Sequence, residues 1–485
     1  MGVPRMGAKE YLVFHDQKRA VDLLLNASVD HLQWSQMKPI DVIAGHTIDS
    51  GFLDFVCESF PDPRDQEKVS VPLKAILASQ IFCRIQEKAS IASGPYILNN
   101  STLLTKLGFN ICVAKTGFND LNLHRRESIF CGDVLRNLLK RYPAGSGPEI
   151  LEKWFNKTCF EFVMKRYPKI RSFVVDTTDV EVLLENTNYQ RSGITAREEG
   201  EIIKRGYKVA LIRALVGNGG ILVGFKMAPI NDHDIIVVKA LLKEIDLPEG
   251  SEIIWDRAFI DADFTGELKE GKKIDTFFGV RTNMMVQQYA VAFAENRPEL
   301  WKPHPNRKNQ EVMYLPEEAL HWPECKAPLK GVLVRWKNKR TNEFEQRLFL
   351  TTKTSVRHPT ILATYDQRAE IEEDHRQLKE NKRLEKLPAT NYAQLHWHVL
   401  FTVLTYVAEN IFFVDKMGNK NKIKTTSTFI YKRPLSETYQ MIIYAGNCYA
   451  ILPADEYVKL LLDQPPDRQA AIKKIVYKLT GFKNA

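Results

Sequence analysis

Tyr365, Arg368, Glu372 and Lys379 stand in the run Tyr365-Asp-Gln-Arg368-Ala-Glu-Ile-Glu372-Glu-Asp-His-Arg-Gln-Leu-Lys379, which holds neither proline nor glycine. Such strong helix formers predict a helix from about Thr364 to Glu385, ended by Pro388. At roughly 100° per residue the four side chains fall within about 60° of one another around the axis. One face then carries a carboxylate framed by two cations and a phenol. A carboxylate suits a metal ion, and cations with a phenolic hydroxyl suit phosphate oxygens. Arg376, Lys382, Arg383 and Lys386 would extend the basic character of this helix. Taken alone, the same pattern also suits a solvated helix face of mixed charge.

The elements that must position this helix begin upstream. Residues 1 to about 168 read as mostly helical, with Lys18 to Leu25, Val71 to Lys88 and Glu149 to Tyr167 as examples. Ser101 is a candidate cap for a short helix that Gly108 would end. The character changes at Ile170. Arg171 to Asp176 is a short apolar run closed by an acid and predicts a buried strand. Tyr207 to Val216 and Ile221 to Ala228 predict the next two strands, joined through Gly217-Asn-Gly-Gly220 as a hairpin. A helix from Ile235 to Ile245 follows, then a strand from Glu252 to Trp255 that runs into Asp256. A helix near Asp261 to Lys269 and a fifth strand from Asp275 to Arg281 complete the series. An antiparallel meander followed by helix, strand, helix and strand is an α/β order. Asp179, Asp261 and Asp263 read as turn or cap residues. Further on, Gly331 to Trp336 and Phe344 to Thr351 predict a hairpin, and Tyr392 to Phe413 an apolar helix packed on the sheet.

Tyrosine, two residues, arginine, three residues, glutamate, six residues, lysine resembles the signature of one large group of prokaryotic transposases. These are the DDE-type insertion-sequence enzymes of the "insertion sequence four" group, and all four positions match. The resemblance covers roughly residues 170 to 390. It implies a ribonuclease-H-like catalytic core over 169–282 and 352–413, interrupted by a β-rich insertion over 283–351. A mostly helical N-terminal domain (1–168) would bind DNA ends, and a helical C-terminal region (414–485), with Lys416, Lys420, Lys422 and Lys424, would bind DNA or dimerise. It also implies two further acids ahead of Glu372, each at a strand end. Asp176 in Phe-Val-Val-Asp176 and Asp256 in Ile-Ile-Trp-Asp256 fit.

By this resemblance Asp176, Asp256 and Glu372 would hold Mg²⁺, with Mn²⁺ a substitute, and Asp176 would bridge two ions. Two divalent ions can activate an attacking oxygen and steady the leaving oxygen of a phosphodiester. Arg368, Lys379 and Tyr365 would grip DNA phosphates near the cut. The implied activity is cut-and-paste transposition: terminal inverted repeats are bound, strands are cleaved, and 3′-OH ends are joined to target DNA. A homodimer on paired double-stranded DNA ends is the implied assembly, in the prokaryotic cytoplasm at the nucleoid. Hairpin-forming relatives carry a tryptophan in the insertion to receive a flipped base. Gln346 and Arg347 stand at that place here, with Trp336 and Phe344 nearby. His233 and Asp234 sit where relatives often show a His-Asp pair, and a turn and helix cap is the simpler reading.

The remaining composition sets bounds. A formal charge of +9 over 485 residues is compatible with a polyanionic partner. Seven scattered cysteines without a C-x-x-C pair predict reduced thiols rather than a zinc ribbon or disulfide framework. His396 and His398, two apart in a helical stretch, would face different sides and so would not share a metal. No uninterrupted apolar run of membrane-spanning length is evident, nor a signal-peptide core, so no membrane partner is expected. Two other functions compete. One is a domesticated DNA-binding protein without catalysis, which would be expected to lose an acid. The other is a stand-alone nuclease of the same fold.

Overall fold

The computed structural model describes residues 12–36, 39–88, 91, 94–118, 128–143, 145–196, 202–217, 219–417 and 439–481. Their contacts divide the chain into two compact units. One comprises Glu152–Glu380 with Thr390–Tyr392. The other comprises Met1–Leu151, Asn381–Ala389 and Ala393–Ala485.

The first unit is built on one large mixed sheet. Its central strand, Ser172–Val182, pairs antiparallel with Ile202–Val216, which turns back as Gly219–Pro229. On its other edge Glu252–Trp255 and then Asp275–Gly279 run parallel to it. These short strands read Glu-Ile-Ile-Trp and Asp-Thr-Phe-Phe-Gly, and Ile253, Ile254, Trp255, Phe277 and Phe278 are buried. Near-continuous apolar character is what a strand covered on both faces requires.

The sheet does not stop at the fifth strand. Phe344–Thr351 pairs antiparallel with Asp275–Gly279, and Lys330–Lys337, Gln310–Leu315 and Lys302–Pro303 continue the ladder. The expected β-rich insertion therefore extends the same sheet, after opening with a helix, Met285–Glu295. Pairing of the fifth strand's outer edge satisfies its backbone donors and acceptors.

The second unit corrects the expectation of a helical C-terminal region, while the described residues up to Arg166 are mostly helical as expected. A four-stranded sheet joins both ends of the chain in the order Phe14–His15, Cys448–Pro453, Tyr439–Ala445, His31–Gln36. The apolar runs Tyr-Gln-Met-Ile-Ile-Tyr-Ala and Cys-Tyr-Ala-Ile-Leu-Pro flank a two-residue Gly446-Asn447 turn, with Gly446 at φ 60°. That is a hairpin signal that reading short helices there overlooks. Helices Gln17–Leu25, Ala454–Leu462 and Pro466–Thr480 cover the sheet, packing Leu24, Leu461, Ile472 and Val476 against Leu32, Met441, Ile443 and Leu452. The short helix Ser101–Lys106 is capped by Asn100 rather than Ser101; its side chain accepts from the Thr102 and Leu103 amides. Lys420, Lys422 and Lys424 lie outside the described residues.

The helix Tyr392–Met417 departs from its expected place as well. From Ala393 onward it belongs to the second unit, not to the sheet of the first. Phe60 meets Trp397 edge-on, Arg84 lies over Phe401, and His46 bonds Asp415 at 2.9 Å. By length and composition this helix could cross a membrane, but 89% of its most apolar window is buried inside the protein. Thr402, Thr405, Glu409 and Asn410 within it break any purely apolar run. Glu409 forms a fully buried ion pair with Lys382, so Lys382 is not part of a solvated basic face. The seven cysteines are free thiols.

His398 in this helix is fully buried, and its Nε2 lies 3.3 Å from the Arg383 carbonyl. Burial, followed by the Arg84 charge, depresses its pKa to about 3 from 6.5. An unfolded chain takes up a proton between those values that the folded chain refuses. The stability it contributes is therefore complete above about pH 6.5 and is lost as pH falls toward 3. Denaturant titrations from pH 7 to pH 4 should show this loss, and His398→Gln should flatten it.

Candidate active site

The register of the parallel pair sets the first two acids. Val175 lies opposite Trp255, so the next residues, Asp176 and Asp256, emerge side by side where the parallel ladder ends. The strand holding Asp176 does not end there, as expected from its sequence. It continues to Val182 against Ile202–Val216, and only its parallel pairing with Glu252–Trp255 stops. Each carboxylate accepts from the amide of the following residue, at 2.8 Å from Thr177 and 2.6 Å from Arg257. Arg281 fastens the loop after Asp256, donating to the Arg257 and Ala258 carbonyls at 3.0 Å each. Asp234, in the first turn of helix Asp234–Glu244, accepts from the Thr177 hydroxyl at 2.9 Å and pairs with Lys208 at 2.8 Å. It thus ties the strand beside Asp176 to that helix. Asp261 caps its own helix, accepting from the Phe264 amide at 2.8 Å.

The run carrying the signature is two helices, His358–Asp366 and Ala369–Glu380, not one. Between them the amides of Gln367, Arg368, Glu370 and Ile371 bond carbonyls three residues back rather than four. This tightened turn carries Arg368 into the acids. Its guanidinium is 2.5 Å from Glu372, and one of its nitrogens is 3.7 Å from both Asp176 and Asp256. Tyr365 packs on Phe349, with ring centroids 4.8 Å apart, and Arg368 lies 5.9 Å from its ring. Five of the six expected site residues thus converge. Lys379 stands further along the helix, close enough to His375 for its charge to bear on that imidazole.

The Glu372 helix is pinned from its opposite face. Arg213, in the strand Ile202–Val216, forms an ion pair with both oxygens of Asp374, and both side chains are buried. Gly220, across the hairpin, leaves room for it; a Cβ there would lie 2.3 Å from the Arg213 Nε. Ile371 and Leu378 bury the same helix. Arg213, Asp374, Arg281 and His375 were not legible as site residues. A lone arginine inside the apolar run Val-Ala-Leu-Ile-Arg213-Ala-Leu-Val was the available signal.

Charge in the site follows from burial. Asp176 is raised to about 7, first by desolvation and then by Asp256 and Glu372, against the Thr177 amide and Arg368. His375, 4.0 Å from Asp176, is depressed to about 4 by burial and then by Lys379 and Arg368, which keeps it neutral. Burial, then the charge of Asp256, raises the Tyr365 phenol. Burial opposes the Arg368 charge, yet Tyr365, Asp256, Glu372 and Asp176 together outweigh it.

Three carboxylates make an all-oxygen donor set of the kind hard divalent cations take. Their side chains converge on one cationic group, so the residues fit such an ion chemically. Among the described residues no three His, Cys, Asp or Glu side chains are drawn together tightly enough to hold one ion as they stand. Here Arg368 occupies the centre of the acids. Beside Tyr365 a recess is lined by His304, Arg307, Trp336, Arg347, Phe349 and Leu362, among others. Arg347 lies 5.7 Å from the Trp336 ring. Phe344 is more than half exposed and lies under Arg335, which also covers Trp301.

Residues 168–408 match the family model of the transposase DDE domain. The matched segment contains Asp176, Asp256, Tyr365, Arg368, Glu372 and Lys379, and supports a DDE transposase, a class of nucleotidyl-transfer enzymes. It also runs past the first compact unit into residues of the second. No curated protein matches the chain significantly.

The buried Arg213–Asp374 pair yields a stability test. Asp374→Ala strands a buried guanidinium and should cost about 3–5 kcal/mol in equilibrium denaturation. Replacing both partners by apolar residues (Arg213→Met with Asp374→Leu) should recover most of that loss.

Proposed function

We propose that the protein is a cut-and-paste DNA transposase whose catalytic residues are Asp176, Asp256 and Glu372. The observation that carries this reading is the convergence of the three acids on Arg368, within a segment similar to transposase DDE domains. The antiparallel meander flanked by two parallel strands agrees with a ribonuclease-H-like core. The complete tyrosine, arginine, glutamate and lysine spacing favours the "insertion sequence four" group.

In this mechanism Asp176, Asp256 and Glu372 would hold Mg²⁺, or Mn²⁺ in its place. When bound, such ions would supply Lewis-acid polarisation of the phosphodiester and activation of the attacking oxygen. The chain's own residues orient the DNA. Arg368 offers a planar fork to phosphate oxygens, Lys379 a point charge, and Tyr365 a hydroxyl donor. His375, neutral and buried beside Asp176, packs the site without adding a competing cation. Thr177, Asp234 and Arg281 keep the two strand-end acids in place while charge moves across the phosphate. No side chain forms a covalent intermediate. Water attacks the phosphodiester phosphorus and the P–O3′ bond breaks, leaving a 3′-OH; that hydroxyl then attacks a target phosphodiester and displaces the target's own 3′-oxygen.

The recess beside Tyr365 suits a planar group held between aromatic and cationic walls, such as a nucleotide at the DNA end. Trp336 stands there from a different strand than the one where hairpin-forming relatives place their tryptophan. DNA-end binding by the N-terminal residues and a homodimer on two paired ends complete the proposal. Retention of all three acids speaks against a domesticated binding protein, and the full signature speaks against a stand-alone nuclease.

Incubation with Mg²⁺ and DNA from the element's ends tests it. Asp176→Ala, Asp256→Ala and Glu372→Ala should each lower excision by more than about 100-fold, beyond the effect of merely loosening a metal ligand. Excision that survives any of the three refutes the assignment. Affinity for end DNA should fall steeply with salt, as phosphate contacts require.

A further inference from the structure

The geometry points to Arg368 as an internal counter-ion that occupies the acidic site until DNA draws it away. This inference rests on the reading of Asp176, Asp256 and Glu372 as metal ligands. Three observations carry it. One guanidinium contacts all three carboxylates, at 3.7 Å, 3.7 Å and 2.5 Å. The Arg368 side chain is only 20% exposed, so its charge is not left to solvent. The tightened turn between the two helices places the residue among the acids, at a point where a continuous helix would not bend.

Carboxylates gathered at the end of a parallel strand pair repel one another, and burial sharpens that repulsion. A bound divalent cation would relieve it. So does the guanidinium, with a single charge and a fixed planar shape. The two cations therefore compete for the same oxygens. A DNA phosphate competes on the other side, since it offers the guanidinium a bidentate partner of its own. When phosphate takes the arginine, the acids are freed for metal. Arg368 would thus be both a phosphate ligand and a gate that couples metal loading to DNA docking. Metal-charged acids would then be scarce in DNA-free protein, which limits stray cleavage.

Mn²⁺ titration of the DNA-free, full-length protein, followed by the electron paramagnetic resonance of free Mn²⁺, tests the competition. Arg368→Gln should bind Mn²⁺ about tenfold tighter than the unaltered protein, since a cation is removed from among the ligands. Arg368→Lys, which keeps a charge, should stay closer to the unaltered protein. Asp176→Asn should weaken binding in both backgrounds. Equal or weaker Mn²⁺ binding by Arg368→Gln, with Asp176→Asn still weakening it, overturns the counter-ion role alone. Binding indifferent to Asp176→Asn overturns the metal reading and this inference with it. A second readout needs no arginine variant to fold. The side-chain nitrogen resonances of Arg368 in the unaltered protein should change on adding Mg²⁺, and should not change in Asp176→Asn. Resonances unmoved by Mg²⁺ raised until its binding saturates overturn the proposal.

Discussion

The parallel pairing of Ser172–Val175 with Glu252–Trp255 is the constraint on which the site depends. Four residues of ladder, closed by Val175 opposite Trp255, decide that Asp176 and Asp256 leave the sheet together. Burial of Val174, Val175, Ile254 and Trp255 fixes that register. A slip of one residue would send buried side chains to the wrong face and separate the acids. The antiparallel partner on the other edge continues past Asp176, so the central strand stays rigid through the carboxylate. Asp256, by contrast, opens a turn, and Arg281 supplies through two carbonyl contacts what the missing ladder would have supplied.

The third acid comes from a different layer and needs its own anchorage. Glu372 is more than half exposed on a short helix whose intrinsic stability is small. Its position rests on Ile371, Leu378 and the buried Arg213–Asp374 pair. That pair lies on the opposite side of the helix from the acids. It can fix the helix on the sheet without lending its charge to the site. Two arginines thus divide the work. Arg213 is committed to one carboxylate out of solvent, while Arg368 is shared among three near the surface.

The alternation of short apolar runs with helix formers made most of the large sheet legible, down to the exact ends of Glu252–Trp255 and Phe344–Thr351. Three features escaped. Pairing partners across a sheet are not local, so the continuation of the core through Phe344–Thr351 could not be read from periodicity. A long apolar helix does not announce which core it fills. Tyr392–Met417 has the composition of a helix laid on the large sheet, yet its Trp397, Phe401 and Asp415 are engaged in the other unit. The strands near both chain ends pair over 400 residues apart in sequence, as Tyr444 with His31 shows. The hairpin turn at Gly446-Asn447 was local and could have been recognised. The buried partnerships Arg213–Asp374 and Lys382–Glu409 were not legible at all, because a charged residue reads as solvent-facing until its partner is found.

The signature spacing was legible for a reason other than the one its periodicity suggests. A continuous α-helix would carry Tyr365, Arg368, Glu372 and Lys379 along one stripe. The chain instead breaks at Gln367–Arg368, where the amides bond carbonyls three residues back rather than four. The consequence is a division of surroundings within eight residues. Tyr365 turns toward Phe349 and Gly279 at the sheet, so close that a Cβ on Gly279 would lie 3.2 Å from its hydroxyl. Arg368 turns into the acids, and Glu372 lies in the first turn of a second helix pinned by Asp374. A straight stripe could not satisfy a sheet contact and a three-acid contact from neighbouring turns. The spacing therefore encodes which residues meet around one charge, and the broken helix is the geometry that lets them meet.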